Sequence, residues 1–161
     1  MEKSESPAFG TLSARFYEER SLEKRNEFLL TEEEADAFCG FHVAEPYEDR
    51  LLRWSEGCSH LALNLDQAEY RFVLELAPIR KDLDSCILDF YFNDSKLTRW
   101  TVNSSYGVVS GVISKDDFAD SDYQIFGFVC LPMARGLKAA KDRRSLGLPL
   151  LSIRFELIEK E

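Results

Sequence analysis

Apolar residues recur at every second position through most of the chain from residue 60 onward, and this alternation restricts what it can fold into. A period of two puts alternate side chains on opposite faces of an extended strand. "HLALNL" places Leu61, Leu63 and Leu65 on one face. "YRFVLEL" places Tyr70, Phe72, Leu74 and Leu76 on one face, with Arg71 and Glu75 opposite. "CILDFYF" groups Cys86, Leu88, Phe90 and Phe92, and "LTRWTV", "YGVVSGVIS", "YQIFGFVCL" and "LLSIRFELI" follow. Between the third and fourth runs, "NDSK" reads as a hairpin turn, because Asn and Asp tolerate the backbone angles a tight turn requires. Short strands separated by turn residues predict an all-β fold, an antiparallel β-sandwich or barrel over residues 58 to 158. No long helical period alternates with the strands, which excludes a doubly wound α/β fold.

The N-terminal quarter follows a different pattern. Residues 1–8 are polar, "TLSARFYEE" carries a weak strand alternation, and "SLEKRNEFLL" fits either helix or strand. "TEEEADAFCG" predicts a short helix over Glu32 to Cys39: Thr31 and Glu34 have capping-box spacing and Gly40 can end the helix. The expected organisation is an extension over residues 1–40, with its short helix packed on the sandwich, and a sandwich domain over residues 41–161.

The totals narrow the function. A chain of 161 residues suits one domain and can bury a core without disulfides or metal. Its formal net charge of −9 and pI of about 4.8 repel nucleic acid and anionic membrane surfaces, so neither partner is expected. No apolar stretch approaches the roughly 20 residues of a membrane span. Cys39, Cys58, Cys86 and Cys130 lack C-x-x-C spacing, which argues against a zinc ribbon or a thioredoxin-like site, and no disulfide is expected. The opening "MEKSESPAFG" has no apolar run of the kind a secretory leader needs, so reduced thiols in a cytoplasmic setting are expected.

Chemistry-bearing motifs are sparse. His42 and His60 are the only histidines. "HVAE" has the spacing of a helical metal pair, but it lies between Gly40 and Pro46, where a helix is not expected, and no metal or cofactor site is predicted. "GVVSG" is not a nucleophile elbow, since its serine is one place late and no strand–turn–helix surrounds it. "KDDFADSDY" gathers Asp116, Asp117, Asp120 and Asp122 without EF-hand spacing, and reads as a solvated acidic loop. "ARGLKAAK" lacks a phosphate-cradling signature. No catalytic residue is therefore assigned, and no enzyme is predicted. Trp54 and Trp100 fit core packing, although an exposed tryptophan could stack on a sugar ring. Asp142 and Arg143 precede the closing strand. An arginine fork there can grip hydroxyls or a carboxylate, or serve as an internal clamp on a carboxylate such as Glu45.

Three stretches resemble a known family. "GFHVAEPYEDRLLRWSEG", "FYFND" and "DRRSLGLPLLSIRF" occur in this order in β-sandwich accessory domains attached to bacterial glycosyltransferases and methyltransferases of surface-polysaccharide synthesis. The resemblance spans Gly40 to Phe155. It implies a jelly-roll-like, non-catalytic module with a carbohydrate-binding or accessory role, a glycan or sugar ligand and a glycosyltransferase partner. On this basis Glu45, Arg53, Trp54, Asp142 and Arg143 are expected together as the ligand site at one edge of the sandwich. The chain departs from the pattern where Asp94 follows Asn93 in place of glycine, in the longer "KDDFADSDYQIFGF" insertion, and in having no transferase attached. The alternative expectation is a structural or protein–protein interaction sandwich with no ligand of its own.

Overall fold

A computed structural model of the chain describes residues 27–29, 38–80, 87–103, 107–121, 123–131 and 146–158. Within these, the fold is antiparallel β: one sheet that curls into a half-barrel. Its strands are β1 (Glu27–Leu29), β2 (Phe38–Phe41), β3 (Glu45–Tyr47), β4 (Arg50–Leu63), β5 (Tyr70–Leu76), β6 (Leu88–Phe92), β7 (Ser95–Lys96), β8 (Trp100–Asn103), β9 (Val108–Ile113), β10 (Gln124–Cys130) and β11 (Pro149–Leu157). A 3-10 turn, Lys115–Asp117, lies between β9 and β10. No described helix is long and apolar enough to cross a membrane.

The long strand β4 holds the sheet together. Its first half pairs with β11, at Trp54 opposite Pro149, and its second half pairs with β10, from Cys58 to Leu63. From β11 the sheet continues through β5 and β9 to β8, and from β10 through β6 to β7. The two arms therefore curl toward each other over a shared interior. Phe72, Leu74, Ile153 and Phe155 from one arm meet Leu61, Phe90, Phe92, Phe126 and Phe128 from the other, all fully buried. The rings of Phe72, Phe90 and Phe126 stand 4.9–5.9 Å apart. The period-two pattern explains this for β5 and β9, where every second residue points inward. In β11 the register shifts between Leu150 and Ser152, so Leu150 and Ile153 both face the core while Leu151 joins another cluster.

The hairpin expected at "NDSK" forms, with β6 paired to β7 at Phe92 opposite Ser95. Asn93 itself takes the left-handed backbone (φ 56°), so Asp94 can stand where glycine was expected. The N-terminal expectation needs correction. Phe38 and Cys39, expected to finish a helix, belong to β2, and Gly40 lies within that strand at φ 84°. The edge of β4 supplies a ladder that outweighs the weak helix propensity of Phe-Cys-Gly. Thr31, Glu34 and the rest of the expected helix lie outside the described residues. The sheet also reaches further back than residue 58: β1 pairs with β11, and Phe28 joins the core against Phe155.

Candidate functional site

The two sequence stretches that carry the expected site residues do meet. Residues 146–150 run beside residues 53–55. The Ser55 amide donates to the Leu148 carbonyl (2.9 Å), the Gly147 amide to the Ser55 carbonyl (2.7 Å), and the Leu148 amide to Ser55 Oγ (2.8 Å). Gly147 is required here, because a Cβ would lie 2.4 Å from Ser55 Oγ.

The expected cluster of side chains is nevertheless divided. Arg53 and Trp54 are consecutive in a strand and so point to opposite faces. Trp54 is 4% exposed and packs with Leu52, Ala77, Leu146 and Leu151 in a second apolar cluster, flanked by Tyr47. Its ring is core and presents no open face to a sugar. Glu45 pairs across from Leu52, on the Trp54 side of β4. Arg53, 5% exposed, lies on the other side and donates from Nη1 to the His42 carbonyl (3.3 Å). Asp142 and Arg143 lie outside the described residues.

A different arginine serves as a clamp. Arg80, 5% exposed, follows β5. Its Nη1 donates to the Gly147 carbonyl (2.8 Å) and its Nη2 to the Leu131 carbonyl (2.7 Å), with Cys130 Sγ at 3.4 Å. One guanidinium thus ties the end of β10 to the entry of β11. Sequence reasoning missed it because an Arg after "API" looks like ordinary surface charge.

Residues 114–121, within the acidic "KDDFADSDY" region, form a built wall. Ser114 Oγ accepts from the Asp116 amide (3.2 Å) while Asp117 Oδ2 accepts from the Ser114 amide (3.0 Å), which closes a reciprocal cap. Gln124, 3% exposed, holds the next residues. Its Oε1 accepts from the Ala119 amide (2.7 Å) and its Nε2 donates to the carbonyls of Ala119 (3.1 Å) and Ser121 (3.2 Å). Asn93 completes the network: Nδ2 donates to Gln124 Oε1 (2.8 Å) and to the Asp117 carbonyl (3.0 Å), while Oδ1 accepts from the Ile125 amide (2.9 Å). Opposite this wall, the β4–β5 turn is fixed by Gln67 Nε2 donating to the Lys115 carbonyl (3.0 Å) and by the Tyr70 hydroxyl donating to the Asp66 carbonyl (2.8 Å).

Between the two walls lies an open cleft of about 460 Å³. Asp66, Gln67, Asp120, Ser121 and Gln124 line it together with Leu65, Phe118 and Ala119. Phe118 is anchored against Phe92 (5.0 Å) and Tyr70 (6.1 Å). The signal that could have found this cleft is Gln124, a buried amide opening the otherwise apolar "YQIFGFVC" strand.

The outer face of β2 and β4 carries a group of titratable side chains. Cys39 stands opposite His60, and Cys58 precedes His60 by two residues, on the same face. Burial pushes the Cys39 thiol up, and Glu56 adds to this; burial and then the nearness of Cys39 push up Cys58. Burial lowers the His60 imidazole below its ordinary 6.5. Among the described residues no three His, Cys, Asp or Glu side chains are arranged to hold a metal ion. The chain matches no known family, and no curated protein matches its sequence.

Proposed function

We propose that this chain is a non-catalytic carbohydrate-binding module whose ligand lies in the cleft between the β4–β5 turn and the β9–β10 segment. The observation that carries this reading is the pinned polar lining. The Asp66 and Asp120 carboxylates and the Gln67 amide surround a space bordered by Phe118. Carboxylate and amide oxygens accept hydrogen bonds from sugar hydroxyls, and an aromatic ring suits the C–H face of a pyranose. The cleft volume falls in the range of small-molecule sites, about 300–1,000 Å³. The Asn93–Gln124 network fixes one wall before any ligand arrives, which lowers the ordering cost of binding. The two arms of the sheet, packed over the phenylalanine core, suit the jelly-roll-like scaffold the motifs suggest.

Affinities on the order of micromolar to millimolar are expected for a few such contacts. A glycan array followed by calorimetric titration tests the reading. Asp66→Ala and Asp120→Ala should each weaken binding about tenfold or more, with unchanged melting temperature. A wild-type chain that binds no glycan, or variants that bind as wild type does, would defeat it. If Arg143→Ala abolishes binding while the two aspartate variants retain it, the ligand lies instead at the Asp142–Arg143 entry to β11. A glycosyltransferase partner rests on the motif resemblance alone, and co-purification with such an enzyme is its test.

One observation favours the interaction-module reading. Ile79, Ile87 and Leu131 are 39%, 62% and 52% exposed. They are drawn together at one end of the fold by the Leu131 amide donating to the Ile87 carbonyl (2.9 Å) and by Arg80. An Ile87→Asp chain that binds glycan normally but loses a protein partner would separate the two functions.

A further inference from the structure

Cys39 and Cys58 are distant in sequence, yet the β2–β4 ladder makes them neighbours. The register sets Cys39 opposite His60, so the two share a face. Cys58 pairs with Val129 and His60 with Gly127 in unbroken register, so Cys58 also lies on that face, one pleat away. In a regular ladder such diagonal neighbours stand about 7–8 Å apart. This ladder is irregular: its register shifts between Cys39 and Phe41. At the shift Gly40 presses so closely on Cys58 that a Cβ there would lie 2.5 Å from the Cys58 carbonyl oxygen. A disulfide spans Cα atoms about 4.4–6.8 Å apart, so a small shift at this irregular stretch would bring the two cysteines within bonding reach. Both are free thiols, Cys58 exposed and Cys39 half-buried.

We propose that Cys39 and Cys58 form a reversible disulfide that fastens β2 to β4, with a peroxide as the two-electron oxidant. The exposed Cys58 sulfur attacks one peroxide oxygen, the O–O bond breaks, and water leaves with a sulfenic acid on Cys58. Cys39 sulfur then attacks that sulfenic sulfur, the S–O bond breaks, a second water leaves, and the S–S bond forms. Two thiols lose two electrons and two protons, and hydrogen peroxide becomes two waters. A dithiol reductant reverses the change. The consequence is local: β2 is covalently held to the longest described strand or released from it.

The test treats the full chain with stoichiometric hydrogen peroxide, alkylates the remaining thiols and digests without reductant. A peptide pair joining Cys39 to Cys58, lighter than the two free peptides by two hydrogens and separated by dithiothreitol, is expected. The oxidised chain should melt several degrees higher than the reduced one, and Cys130→Ser should leave both results unchanged. Recovery of both cysteines fully alkylated after peroxide would overturn the proposal. So would a Cys58–Cys58 link between two chains, or a Cys58 that runs on to sulfinic acid while Cys39 stays free. These outcomes are read on the wild-type chain and do not depend on whether a cysteine variant folds.

Discussion

A methyl group on Gly111 would lie 2.4 Å from the ring of Phe72 and 2.6 Å from the Arg99 carbonyl. Gly111 pairs with Phe72 on β5 and with Trp100 on β8, so the missing side chain is what lets the Phe72 ring reach Phe90 and Phe126. Gly111→Ala is expected to destabilise the fold by about 1–3 kcal/mol, the usual range for overpacking a core, as read from the midpoint of urea unfolding. Gln124→Leu acts through a different cause. It keeps roughly the same volume but leaves the Ala119 amide and the Ala119 and Ser121 carbonyls without the amide that holds them. A loss of roughly 1–3 kcal/mol is expected, together with weaker glycan binding, because the same residues form one cleft wall. At this scale the sequence was partly legible. Trp54 was readable as core, but its burial also removes it from the ligand site, and the alternation that buries it turns Arg53 the other way.

Ion pairs and histidines act on whole strands. Arg50 at the start of β4 meets Glu75 on β5 through two hydrogen bonds of 2.7 and 3.0 Å, and Ser152 on β11 donates to the same carboxylate (3.1 Å). The Arg50 bond holds Glu75 below its ordinary 4.5, with Ser152 helping. A carboxylate lowered in this way adds stability above 4.5, and that stability is lost as the pH falls through the lower folded value. Both partners are more than a third exposed, so the effect is worth less than about 1 kcal/mol. Glu75→Gln should flatten the acid limb of a pH–stability curve below 4.5. His60 adds a separate window. Because burial lowers it, the unfolded chain takes up the proton first as the pH falls below 6.5, and stability drops there. His60→Gln should remove that drop while leaving the region below 4.5 unchanged. Most strands from β5 onward were legible because their core-facing residues recur at every second position; β7, exposed at both residues, read as part of the turn. The region around β2 was not legible. Its strand depends on the free edge of β4, a partner that no local pattern in "AFCGF" reveals, and the capping box pointed to a helix instead. The cleft was illegible for a related reason, since Asn93 and Gln124 lie 31 residues apart and only the β6–β10 pairing joins them.

Among the described residues there are three apolar clusters, and each of the two larger ones has a tryptophan. Trp100 packs against Phe90 in the main core (5.3 Å), and Trp54 belongs to the smaller of these two, on the other side of the sheet. Strand β4 runs through both, with Leu52 in one and Leu61 and Leu63 in the other. Melting should therefore be a single transition: fluorescence of Trp54→Phe and Trp100→Phe chains should give the same midpoint as far-UV circular dichroism, once each variant is compared with itself. Distinct midpoints for the two probes within one variant's set of signals would show that the clusters unfold separately. The Arg80 clamp has a consequence for engineering. It grips Leu131 and Gly147, so both ends of the intervening stretch are held by the body of the fold. The entropy of closing a loop grows slowly with its length, about 0.6 kcal/mol per doubling. Changing the number of residues between Leu131 and Gly147 should therefore shift the unfolding midpoint little while Arg80 is intact, and more in an Arg80→Ala chain.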